Sequence, residues 1–148
     1  MKKKTTSGKY IPNEEKNVLN KPLATYRPVK TLPVVQDFPY KKFEKIAAKA
    51  PFNQREWASI LHLSEKTLQR YAKDNKNFEG IYVDRILHIQ ELIEMGLETF
   101  TNPEAFYRWL KKDKPMLGIT LGFSDLFTSQ GIQEHINALG RIQHGIIV

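Results

Sequence analysis

From Leu61 to Lys73 the chain reads LHLSEKTLQRYAK, and the meaning of this stretch decides the fold. Ser64 is a good amino-terminal helix cap, Leu68 and Tyr71 supply an inward pair at helical spacing, and Lys66 and Arg70 share one outer face. Just upstream, NQREWASI from Asn53 to Ile60 has the capping residue and apolar pattern of a shorter helix. A helix-turn-helix needs a small residue where its helices cross, apolar residues around the turn, and a capped second helix with a polar outer face. Ala58 is that small residue; Trp57, Leu61, Leu63, Leu68 and Tyr71 form the inward set; Thr67 fills the first turn behind Ser64. His62 stands where glycine usually relieves a positive φ, a conformation histidine tolerates better than bulkier side chains do.

Two readings of the outer face follow. As a DNA reader, the second helix presents Glu65, Lys66, Gln69, Arg70 and Lys73 to the major groove, with Ser64 and Thr67 at its start completing the contact set. Arg70 then suits guanine N7 and O6, and Gln69 suits adenine. Lys73 and Lys76 suit phosphates, which add affinity without sequence information. As an ordinary helical hairpin, the same face is simply solvated. Residues 53–77 hold five cations against three acids, a thin excess for a DNA reader.

Charge is distributed unevenly around this hairpin. The chain of 148 residues has a formal charge of +7, and residues 1–40 hold eight Lys/Arg against three acids. Five of the eight prolines also lie there, each disfavouring helix. Residues 1–38 are therefore expected to be a disordered basic tail, touching the body through Val34, Val35 and Phe38. MKKK reads either as a solubilising start or as a phosphate-touching arm. The absence of cysteine excludes disulfides and thiolate chemistry and fits a reducing compartment. No apolar run approaches the roughly 18 residues of a membrane helix, so a cytoplasmic protein without a membrane partner is expected.

The remaining segments extend the helical pattern. Phe43, Ile46, Ala47 and Ala50 mark a first helix that stops before Pro51. Gly80 opens a long helix to about Phe100, with Val83, Ile86, Leu87, Ile89, Gln90, Ile93 and Leu97 on a wide apolar stripe. Asn102 followed by Pro103 starts another, running through Trp109 and Leu110. Lys114, Pro115 and Gly118 interrupt it. Ser124 to Phe127 and Ile132 to Gln143 complete the chain, with Ile136, Leu139 and Ile142 on one face. No stretch alternates over more than a few residues, so strands are not expected. The expected class is all-α.

FTNPEAFYRWL (100–110) and LGITLGFSDLFTSQGIQEHINALGRIQHGIIV (117–148) add a resemblance. With WASILHLSEKTLQRY and the Asp84-Arg85 pair, they resemble antitoxins of the Xre/MbcA/ParS type, in which an Xre-like helix-turn-helix precedes a toxin-binding domain. The shared marks are Trp109-Leu110, Leu117-Gly118, Thr128 to Gly131, and Leu139 to Gly145. Ile119 and Gly122 depart from the second glycine and later proline usual in that loop.

The resemblance covers about residues 40–148 and implies a helix-turn-helix domain over 39–100 and a toxin-binding domain over 101–148. It further implies a homodimer, operator DNA as one partner, and a cognate toxin as another, often of the NAD-consuming RES class. Neutralisation is by binding, with the carboxy-terminal segment reaching the toxin's active-site cleft. The residues suit such occupancy: Gly145, Ile146, Ile147 and Val148 form a short apolar tail, with Arg141, Gln143 and His144 as rim donors and acceptors. Arg141 is the expected specificity anchor, or else braces Glu134. The competing reading of the tail is that Ile146 and Ile147 fold back onto their own domain. The competing function is a stand-alone transcriptional regulator whose carboxy-terminal domain only dimerises.

Enzyme chemistry finds little support. His62, His88, His135 and His144 lack metal-ligand spacing, and no HExxH or cysteine cluster accompanies them. Asp84 and His88 lie four apart, a spacing far more common for a surface pair than for an acid-base couple. Gly118 and Gly122 form neither a P-loop nor a dinucleotide fingerprint, and Ser124-Asp125 reads as helix capping. No cofactor or metal is expected.

Overall fold

A computed structural model describes residues 37–145. The basic tail over 1–36 and the terminal Ile146, Ile147 and Val148 lie outside the described residues.

The described residues form six α-helices, one small hairpin and a 3₁₀ turn. Helix α1, Tyr40–Ala47, buries Phe43 and Ile46. Helix α2, Gln54–Leu61, starts at a capping box: Asn53 accepts from the Glu56 amide while Glu56 accepts from the Asn53 amide. Helix α3, Glu65–Asp74, is capped by Ser64 and ended by Asn75 at φ 47°. Helix α4, Gly80–Thr99, buries Ile86, Ile89, Leu92, Ile93 and Gly96. Helix α5, Pro103–Lys111, has Asn102 as cap and proline at its first position, as its sequence signals. The 3₁₀ turn Phe123–Phe127 leads to α6, Ser129–Gln143, capped by Thr128.

Two expectations need correction. Between α5 and the 3₁₀ turn lie strands β1, Lys114–Met116, and β2, Ile119–Leu121, paired antiparallel with Met116 opposite Ile119. Three residues per strand are too few for alternation to register. Leu117 and Gly118 join them at φ 48° and 87°, the two positive values that a tight primed turn requires. The apolar stripe of α4 is also narrower than its sequence suggests, since Leu87 is exposed, and Ile142 on α6 is exposed too. Phe38, expected to touch the body from the end of the tail, is indeed a core residue, and its carbonyl accepts from the Phe78 amide.

The core explains why these helices hold together. One cluster of buried side chains runs from Phe38 to Leu139. Phe43 lies edge-on to Trp57 and Phe78, and Phe52 contacts Trp57, Tyr107 and Phe123. These rings join α1 and α2 to α5 and the 3₁₀ turn without a break. Helix α4 packs against both α5 and α6. At Gly96 any Cβ would overlap the Phe106 ring, so the absent side chain sets the close approach of α4 and α5.

Candidate nucleic-acid interface and carboxy-terminal surface

Helices α2 and α3 form the hairpin read from the sequence. His62 ends α2 at φ 61° and ψ 37°, the left-handed conformation expected of the turn position. Its side chain explains why a histidine suits it. Nε2 lies 2.6 Å from the Phe127 carbonyl, which can only accept, so Nε2 carries the proton. Arg85 Nη1 donates to the same carbonyl at 3.0 Å. The turn of the hairpin is thereby tied, through one oxygen, to the residue preceding the cap of α6. Spacing alone gave no hint of this role for His62 and Arg85.

The outer face of α3 sorts the expected contact residues into two kinds. Ser64 and Thr67 are engaged with each other: Ser64 Oγ accepts from the Thr67 amide at 3.0 Å and donates to its hydroxyl at 2.9 Å. They fix the start of the helix. Gln69 is exposed and donates to Gln54 Oε1 at 3.2 Å, while Glu65 pairs with Arg55 at 3.6 Å on the surface. Lys66, Arg70 and Lys73 are exposed and, among the described residues, take part in no ion pair. At i, i+4 and i+7 they line one stripe of α3, open to a polyanion. Lys76 sits over the Tyr71 ring, 5.3 Å from its centroid.

Glu56, unremarked in the sequence, is the main polar node beside the hairpin. It is only 8% exposed, yet accepts from the Asn53 amide, from Tyr107 Oη at 2.8 Å and from Lys111 Nζ at 2.9 Å. Burial alone would raise its pKa, but these donors outweigh that and hold the carboxyl below its ordinary value. Glu56 therefore caps α2 and anchors α5 with the same side chain. The capping-box half of this was legible as N-x-x-E; the contact with α5 was not.

Lys114 and His135 are buried on the other side of α5. Lys114 Nζ donates to the carbonyls of Trp109, Leu110 and Lys112, closing the end of α5, and lies 4.6 Å from the Trp109 ring centroid. Burial lowers its pKa to about 8 against the opposing pull of Asp113 and Asp125. His135 Nδ1 lies 2.9 Å from the Gly131 carbonyl, Nε2 has no partner among the described residues, and burial lowers its pKa. Asp84 and His88 form no couple: His88 contacts Gln133 at 3.1 Å. No cluster of potential metal ligands occurs among the described residues.

At the carboxy-terminal end, Arg141 is half-buried, makes no ion pair with Glu134, and has a desolvated Nε without a hydrogen-bond partner among the described residues. His144 is exposed and follows the last turn of α6, and Gly145 is exposed at φ 72°. Gln143, expected as a rim residue, is exposed and donates to Thr99 Oγ1 at 2.8 Å, bracing α6 on α4.

Residues 33–91 match the family described as the antitoxin Xre-like helix-turn-helix domain. The similarity is to this segment. It covers the hairpin and the first half of α4, and it includes every residue expected at the DNA interface. Among curated proteins none matches the chain. Among the described residues no helix is long and apolar enough to cross a membrane.

Proposed function

We propose that this chain is the antitoxin of a type II toxin-antitoxin system, and that it neutralises a cognate NAD-consuming toxin of the RES class by occupying its active-site cleft. The observation that carries the reading is the match of residues 33–91 to an antitoxin domain. The carboxy-terminal segment is the inhibitory element. Arg141 supports this, because a half-buried guanidinium with a desolvated, unpartnered Nε gains most from a carbonyl or carboxylate brought by a partner. His144 and Gly145 continue the exposed end of α6 toward Ile146, Ile147 and Val148, the apolar residues assigned to the toxin's pocket. The chain acts as a homodimer on operator DNA, with Lys66, Gln69, Arg70 and Lys73 at the groove and Ser64 and Thr67 setting the start of the reading helix.

Deleting residues 144–148 tests the assignment of the two ends. The truncated chain should lose the ability to rescue cells from the toxin while retaining operator binding. Full rescue by the truncated chain would overturn occlusion by this segment.

A further inference from the structure

We infer that the exposed basic surface at the carboxy-terminal end of α5, formed by Arg108 on the helix and Lys112 just after it, is a second phosphate-contact site that extends bound DNA beyond the recognition helix. The inference rests on the reading of α3 as the DNA-contacting helix.

Its basis is the placement of α5 beside the amino terminus of α2. The first residues of α2 contact α3, through Gln54 to Gln69 and Arg55 to Glu65. The next residue, Glu56, binds Tyr107 and Lys111 of α5. The start of α2 is therefore reached by the recognition helix and by α5 together. When a helix-turn-helix docks, its first helix crosses the sugar-phosphate backbone. Side chains next to that terminus are thus placed along the backbone flanking the groove.

The chemistry of α5 fits that position. Arg108, Lys111 and Lys112 are exposed, against Glu104 on the same helix and Asp113 just after it. Lys111 is neutralised by Glu56, whereas Arg108 and Lys112, the extended residue that follows the helix, form no ion pair among the described residues. They border an open groove of about 590 Å³ whose other lining residues include Tyr107 and Trp109. Two unpaired cations flanked by aromatic surface suit a phosphate-sugar chain, which is anionic along its edge and apolar across its sugars. Such a site also supplies the charge that the hairpin lacks, with its five cations against three acids over residues 53–77.

The test is the salt dependence of binding to a mixed-sequence DNA duplex, followed by fluorescence anisotropy between about 50 and 200 mM salt. R108A/K112A should lower the slope of log K against log salt by about 2, since each neutralised phosphate contributes about 0.9. The charge-preserving R108K/K112R should keep the wild-type slope. K66A/R70A should lower it independently. If K66A/R70A lowers the slope and R108A/K112A does not, the α5 site is wrong and the reading of α3 survives. Absence of salt-dependent binding by the wild-type chain overturns both. Loss of toxin capture by R108A/K112A with an unaltered slope assigns this face to a protein partner and overturns the site as proposed.

Discussion

Glu56 combines a cap, a cross-link and a buried charge, so its loss acts at three places at once. Glu56→Gln should destabilise the protein by about 2 to 4 kcal/mol, combining a weakened cap with lost charge-assisted hydrogen bonds. Because the folded carboxyl titrates below its ordinary 4.5, its contribution is complete above that value and is lost as pH falls through the lower folded value. Urea denaturation from pH 7 to pH 3 should show the gap between wild type and E56Q closing only at the acid end; a gap constant with pH would contradict the buried pair. Lys114 gives a signature of the same sign on the alkaline side. Between about 8 and its ordinary 10.5 the unfolded lysine holds a proton that the folded one has released, so stability rises with pH. Tyr40, Tyr71 and Tyr107, all raised above 10, oppose this only from 10 upward. From pH 8 to 10 the wild type should therefore gain stability relative to K114M, and parallel curves would show that the amine is solvated.

At the scale of elements, the hairpin was legible because its signals are local. Asn53, Ser64 and Asn102 each cap the helix their position announces, and Leu68 and Tyr71 are buried as their spacing requires. The β1-β2 hairpin was not legible, since three-residue strands leave no periodic trace and its turn places a leucine, Leu117, at a positive φ. The same limit applies to contacts at long range. Nothing near His62 in the chain announces that its ring meets Phe127, sixty-five residues away, and nothing near Glu56 announces Tyr107. The candidate DNA residues divided along this line: the exposure of Lys66, Arg70 and Lys73 follows from helical period, whereas the engagement of Gln69 by Gln54 is tertiary. Arg70→Ala should weaken operator binding by about 1 to 3 kcal/mol and relax preference at one base pair. An unchanged footprint and affinity would remove Arg70 from the reading surface.

At the scale of the whole molecule, the helix-turn-helix segment and the segment that follows it share one core. Phe52 touches Trp57 on one side and Tyr107 and Phe123 on the other, and the Phe127 carbonyl receives both His62 and Arg85. Cooperative unfolding of residues 37–145 should follow, and the two tryptophans report on it separately, Trp57 in α2 and Trp109 in α5. The fluorescence transitions of W57F and W109F should each coincide with the loss of helical circular dichroism in the same variant. A Trp57 signal that persists after Trp109 is exposed would instead divide the core. A shared core also gives the proposed function a physical consequence, because the turn that precedes α3, helix α4 and the start of α6 are braced through the same carbonyl oxygen.

The antitoxin reading itself is tested most directly in cells. The reading frame adjacent to this gene is induced with and without this protein, and growth and cellular NAD are followed together. Depletion of NAD by the neighbour alone, and restoration of both NAD and growth on co-expression, is the predicted result. A neighbour that leaves NAD level and growth intact, or a toxic one that this chain fails to restrain, would contradict the account.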